Sequence, residues 1–360
     1  MNLLHYGLSR FIVPVACMGL SSIAGAQSSV TLYGVVDGSL MYTSKSLDPA
    51  TGKNAGSKFS MVSGNDSPSI FGMKGSENLG GGLSAIFALE SGINISNGGV
   101  TDSDGNFFGR QAWVGLASDF GKVQLGLQFS PFLLSLVSTD PRSTSFFASE
   151  VPIYVGRLFA TGAYNPNAVS YTSPTIGGFQ AAAMLALGGA AGDFQAGRQY
   201  SASLAYTHGP FFISAAMYDG NSGGTAASTP SPSTVPFTGR TVGVGYHIGS
   251  LTLDAVFVNY KLQGSFDSRV FGGGFNYYVT PSANVDAGAW YINDGNDSNN
   301  HALMIASGFT YFLSKATSLY SQLGFVNNHG KLNIGLSTNG ALYAPAGSTV
   351  SATLGIRHRF

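Results

Sequence analysis

Gly220-Asn-Ser-Gly-Gly224 has the spacing of a nucleophile elbow, the sharp strand-to-helix turn that presents a reactive serine. It lies in a run of Gly, Ser, Thr and Pro without a strand–turn–helix context, so no attacking hydroxyl is expected there. His208, His247, His301, His329 and His358 follow no H-E-x-x-H or other metal-ligand spacing. Asp102-Ser-Asp-Gly105 begins like a calcium loop, but Trp113 stands where the closing bidentate Glu belongs. Weak calcium binding in a loop is the most this allows, and no cofactor is expected. No dinucleotide or P-loop fingerprint fits. An enzyme would need a His beside a Ser or Asp on neighbouring strands facing one way, and the sequence does not display one.

The charge balance excludes other partners. Seventeen Lys and Arg meet seventeen Asp and Glu, so no net field draws nucleic acid. Charged residues are only 9% of the chain, against roughly 25% in soluble domains. Glycine, 50 of 360 residues, is about twice its usual share. At the start, Phe11-Ile-Val-Pro-Val-Ala-Cys-Met-Gly-Leu20 forms a short apolar core, and Ala24-Gly-Ala26 follows with small residues at both ends. That order reads as a secretory signal peptide over residues 1–26, with Gln27 as the new N-terminus. Pro14 spoils the lipoprotein spacing before Cys17, the only cysteine, so the exported chain is cysteine-free.

The elements that would carry this chain into a membrane are strands. After Gln27 no apolar run approaches the ~20 residues a spanning helix needs. A period of two recurs instead. Val350, Ala352, Leu354, Ile356 and Phe360 share one face of the C-terminal run, and Ser351, Thr353, Gly355, Arg357 and Arg359 the other. Val242, Val244, Tyr246 and Ile248 likewise oppose Thr241, Gly243, Gly245 and His247. Leu204 and its row oppose Ser201 and Ser203. Apolar-out, polar-in alternation of this kind suits a closed barrel, in which only every second side chain meets lipid.

Short turns, such as Ser118-Asp-Phe-Gly121 and His247-Ile-Gly-Ser250, alternate with longer polar loops. Roughly 16 strands result, an even number as bacterial barrels require. They start near residues 30, 57, 83, 107, 121, 167, 179, 198, 211, 239, 250, 269, 283, 301, 316 and 349. Tyr277, Tyr278, Tyr311, Phe312 and Phe360 sit at strand ends, where aromatics form interfacial girdles. The fold class is therefore all-β, an antiparallel transmembrane β-barrel forming a single domain over residues 27–360. A barrel this wide encloses water. Residues 130–166 break the pattern. The stretch holds Pro131, Pro141 and Pro152, lacks alternation, and is rich in Phe, Leu and Val, so it should pack against the inner wall.

Several segments together resemble the general porins of Gram-negative bacteria, especially the β-proteobacterial type. Val30-Thr-Leu-Tyr-Gly-Val-Val-Asp37 looks like the family's first strand. The run from Phe71-Gly-Met-Lys-Gly-Ser-Glu-Asn-Leu-Gly80 to Glu90 looks like its second hairpin. Phe108-Gly-Arg-Gln-Ala-Trp-Val-Gly-Leu116 and Gly121-Lys-Val-Gln-Leu-Gly-Leu-Gln128 look like the hairpin before the constriction loop, and Asn167-Ala-Val-Ser-Tyr-Thr-Ser-Pro174 like the strand after it. Gly355-Ile-Arg-His-Arg-Phe360 resembles the family's ending.

The resemblance implies a 16-stranded barrel whose third extracellular loop, residues 130–166, folds inward. It implies a homotrimer in the outer membrane, in contact with lipid and lipopolysaccharide, through which small hydrophilic solutes and ions diffuse passively. Wall arginines would face acidic loop residues at the narrowest point. Arg110 fits a wall arginine and Arg157 the arginine at the loop's end. Asp140 and Glu150, the only carboxylates of the loop, are the acidic candidates, and Arg142 shares that loop. Ile70 and Leu127 stand where the family usually has arginines, which thins the basic ladder and leaves ion preference open. The alternative is a structural or adhesive barrel with a restricted lumen.

Overall fold

The computed structural model describes residues 29–103, 105–156, 163–221 and 234–360. The leader, Arg157 and Ser222 of the elbow-like run lie outside the described residues. Almost everything described is strand. The chain begins with β1 (Ser29–Thr43), β2 (Lys58–Ser63), β3 (Ile70–Gly80), β4 (Leu83–Asn94) and β5 (Gly99–Val100). Next come β6 (Gln111–Ser118), β7 (Gly121–Phe129) and two short helices, α1 (Pro131–Val137) and α2 (Glu150–Val155). β8 (Tyr164–Thr172), β9 (Phe179–Ala186), β10 (Gln199–His208), β11 (Phe211–Asn221) and β12 (Pro236–Ile248) follow. Then come β13 (Leu251–Leu262), β14 (Asp267–Thr280), β15 (Ala283–Asp294), β16 (His301–Phe312) and β17 (Thr317–Asn328). The chain ends with β18 (Ile334–Ser337), β19 (Ala341–Tyr343) and β20 (Gly347–Arg359).

Each barrel strand pairs antiparallel with its neighbour in sequence, and β20 returns to pair with β1 from Val35–Arg359 to Thr43–Ser351. β2 and β3 share one place beside β1, and β5, β18 and β19 belong to loops. The result is a closed barrel of 16 strands. At the seam, Gly34 and Phe360 exchange both backbone hydrogen bonds at 3.1 Å. The Phe360 ring lies over Gly34, where a Cβ would come within 2.4 Å of it. Lipid offers no hydrogen bonds, so a spanning sheet needs this closure to leave no open edge.

Alternation places the rows as expected. Val350 and Leu354 are 47% and 66% exposed on the outer face, while Ser351 and Thr353 are buried on the inner one. Two features depart from a simple polar lining. Between β2 and β3, residues 64–69 leave the wall and turn inward. Their lost ladder bonds are replaced. The Asp37 carboxylate accepts from the Asp66 and Ser67 N–H groups, and Ser69 Oγ bonds the Asp37 backbone.

The second departure is an apolar interior. Val258, Tyr260, Trp290, Ile292 and Met304 lie on inward rows yet are fully buried. They are shielded from water by residues 130–156, which form a cluster with them.

That segment is more regular than its sequence suggests. Ser130 caps α1 by accepting from Leu133 N–H, and Pro131 occupies the first turn, where its missing donor costs nothing. Ser149 caps α2 in the same way. Phe132 N–H bonds Ser201 Oγ of β10 at 3.0 Å, and Ser135 Oγ meets Ser214 Oγ of β11 at 2.7 Å. The Phe132 ring rests on Gly239 of β12, where any Cβ would collide with it, and among Tyr154, Tyr218 and Tyr260. The Thr139 side chain likewise fills the space above Gly243. Truncating so enclosed a ring costs about 3–5 kcal/mol. Phe132→Ala is expected to lower thermal stability in detergent accordingly. An unchanged melting temperature would show that the ring is not a main anchor of the segment.

Candidate functional site

Arg142 is the centre of the interior. It lies between the two helices, with its side chain almost fully buried. Nε donates to Asp286 Oδ1 of β15 at 2.6 Å, and Nη2 to Gln322 Oε1 of β17 at 3.0 Å. Nη1 donates to the Phe147 and Ala148 carbonyls at 2.5 and 2.9 Å. Planar guanidinium geometry suits this divergent set of acceptors; a lysine would offer one point charge. Gly308 of β16 leaves the room, since a Cβ there would touch both Asp286 and Arg142. The backbone around Arg142 is tightly wound, with Ser143, Thr144 and Ala148 at positive φ. Such conformations persist only where contacts over-determine them.

The network continues through Gln322. Its Nε2 donates to Asp66 Oδ1 at 3.2 Å, and Asp66 forms an ion pair with Arg357 of β20. A chain of groups thus runs Asp286, Arg142, Gln322, Asp66, Arg357, with two charges of each sign. Asn65, fully buried, fastens three inward segments together. Its Nδ2 reaches Ser39 Oγ of β1 and Thr353 Oγ1 of β20. Its carbonyls accept from Ser145 and from Ser337 of β18.

The two loop carboxylates turn away from water. Asp140 accepts from the Arg142 and Glu150 N–H groups at 2.8 and 2.9 Å. Glu150 is 2% exposed, and its Oε1 accepts from Tyr260 Oη at 2.5 Å. Burial pushes the Glu150 carboxyl up to about 8; the Tyr260 bond opposes this and nearby Asp140 adds to it. Burial also raises Asp140. Arg110 stands apart from this group. It pairs with Glu90 of β4 at 2.7 Å and donates to Tyr164 Oη at 2.8 Å, and is 8% exposed.

The structure therefore joins Asp140, Arg142 and Glu150 and keeps Arg110 with Glu90. Asp66, Asp286, Gln322 and Arg357 had no assigned role in the sequence reading. Parity places Arg357 on the polar row and Asp286 inward on its strand, but neither position names its partner. Ile70 and Leu127 lie opposite Val35 and Ala112 and supply no charge. Lys74 and Lys122 occur on the inward rows of β3 and β7, opposite Thr31 and Ala117.

With a closed barrel, an inward segment and a charged interior in place, the relatives are informative. A profile of the Gram-negative porins matches residues 14–331. The chain belongs to that family. This porin is 30% identical to an outer membrane porin protein of Bordetella pertussis, over 95% of its own length and 97% of the relative's. It is 30% identical to outer membrane porin protein 32 of Delftia acidovorans, over 98% and 100%. The solved anion-selective porin from Comamonas acidovorans has 29% identity and a TM-score of 0.79, covering 93% of this porin and all of that chain. The porin is an outer-membrane channel for passive diffusion of small hydrophilic solutes and ions, and not an enzyme.

The raised carboxyl of Glu150 has a measurable sign. A carboxyl that prefers its proton when folded stabilises the native state below its ordinary value, and that contribution is lost as pH rises through the folded value. Native stability should therefore fall between about pH 4.5 and pH 8. Glu150→Gln should flatten that part of the profile, measured as melting temperature against pH. Equal slopes in both proteins would remove Glu150 as the cause.

Proposed function

We propose that residues 130–166 are the constriction loop of this porin and that the charged chain from Asp286 to Arg357 sets its narrowest section. The observation that carries this reading is the Arg142 side chain, which ties the segment to β15 and β17 on the inner wall. Asp140 and Glu150 hold the loop in place from buried positions, and Arg110, paired with Glu90, braces a separate part of the wall. Lys74, Lys122 and Arg359 are inward cations that bias it toward anions, in keeping with charged linings as the source of ion preference. The sign of that preference agrees with the anion selectivity of the Comamonas acidovorans porin.

A homotrimer fits the outer face. An apolar groove of about 810 Å³ runs over Gly38, Leu40, Leu319, Leu354 and Ile356, and we assign it to contact with a second copy of the chain. Lipid and lipopolysaccharide cover the remaining apolar rows. Light scattering in mild detergent counts the protomers, and a monomer would contradict this assembly.

The constriction is tested in planar bilayers. Removing one partner of a buried ion pair costs about 3–5 kcal/mol. Arg142→Ala should unseat the loop, raise single-channel conductance and, by leaving Asp286 unbalanced, move the reversal potential toward cations. Arg142→Lys should restore charge without restoring the wild-type conductance, because it cannot bond four acceptors. Wild-type conductance in Arg142→Ala would exclude the loop as the constriction.

A further inference from the structure

A recess of about 610 Å³ opens between the loop residues Val137–Thr144 and the inner faces of β11 to β14. Its wall is built around Asp254 of β13. The directly opposed residues on either side, Gly245 of β12 and Gly274 of β14, have no side chains. A Cβ at Gly245 would come within 2.7 Å of Asp254 Oδ1. The carboxylate therefore stands in a cleared patch, with Phe212 of β11 further along the same inward row.

Other groups around the recess are already engaged. His247 Nδ1 meets Thr252 Oγ1 at 2.8 Å, and Asn276 Nδ2 reaches Ser143 Oγ at 3.4 Å. Asp140 is held by its two backbone donors. Asp254, by contrast, accepts no hydrogen bond and makes no ion pair within 4 Å among the described residues, although the His247 ring lies within electrostatic reach of it. Of the inward cations outside the loop, Lys74 and Lys122 belong to β3 and β7 and Arg357 and Arg359 to β20, none of them on the strands of the recess.

We infer that this recess is a subsite for a permeating solute that carries an ammonium group and hydroxyls, of the size and chemistry of an amino sugar. The ammonium binds the Asp254 carboxylate, a charge-assisted pair that is stronger than a neutral hydrogen bond. The hydroxyls use the capacity that the Thr252 and Ser143 hydroxyls keep beside their bonds to His247 and Asn276, and the Phe212 ring offers an apolar face to the sugar carbons. A cation retained on one wall and inward lysines on another would let oppositely charged solutes follow separate sides of one lumen. The inference rests on the reading of this barrel as an open diffusion channel.

The test is current through single channels with glucosamine or glucose added at rising concentration. Glucosamine should reduce or chop the open current with saturation, and glucose at equal concentration should not. In Asp254→Asn the glucosamine effect should weaken about tenfold, as loss of a charged hydrogen bond implies, while the conductance in salt alone stays near that of wild type. Equal effects of glucosamine and glucose, or an unchanged response in Asp254→Asn, would overturn the subsite. Absence of any channel in wild type would instead overturn the diffusion reading itself.

Discussion

Closure of the sheet is the constraint from which the rest follows. Within lipid each backbone N–H and C=O needs a partner from the chain itself. β1 and β20, more than three hundred residues apart in sequence, meet that need where Gly34 and Phe360 exchange their hydrogen bonds. Once the ring is closed, strand pleating alone divides the residues into an outer and an inner set. The outer rows carry Val, Leu, Ile and aromatic side chains toward the membrane. The inner rows inherit a volume too wide to be filled by wall side chains alone.

The chain fills part of that volume with its own loops. Residues 130–156 bring an apolar surface to one arc of the wall, and Phe132, Ile153 and Tyr154 join wall residues such as Val258, Tyr260 and Trp290 in one buried cluster. Residues 64–69 and the β18–β19 hairpin approach from other directions and meet the loop at Asn65. Polar groups buried this way are costly unless each finds a partner. Asp37, Asn65, Gln322 and Arg142 supply most of those partners, which explains why wound backbone at Ser143, Thr144 and Ala148 is tolerated. The same contacts that satisfy the buried groups also fix how much of the lumen stays open.

Much of this architecture is legible in the chain before any coordinates. Period-two runs locate the strands because lipid and lumen impose opposite demands on neighbouring residues. Turn residues such as those of Ser118–Gly121 locate one rim. The long Phe- and Leu-rich stretch announces a packed loop. Other features leave no local trace. α1 and α2 are too short to show a helical period. The excursion at residues 64–69 is flanked by ordinary strand sequence on both sides. Val256, Val258 and Tyr260 share their strand with an apolar outer row, so alternation is lost where the loop replaces water. The partners of Arg142 lie 144 and 180 residues away, and only folding brings Asp286 and Gln322 to it. Of the charged residues read as the constriction that are described, Asp140, Arg142 and Glu150 proved neighbours and Arg110 belongs to a separate pair, a division set by tertiary distance alone.

The central claim is that the loop is seated on the inner wall as a fixed part of the pore. Ser135 and Ser214, one on α1 and one on β11, have side-chain oxygens 2.7 Å apart. The only cysteine, Cys17, falls in the expected leader, so a pair introduced at these positions would be alone in the exported chain. In the double variant Ser135→Cys, Ser214→Cys, a disulfide should form on mild oxidation, and open-channel conductance should match that of the reduced protein. Failure of the bond to form in folded protein, or a large change in conductance when it does, would contradict a seated loop.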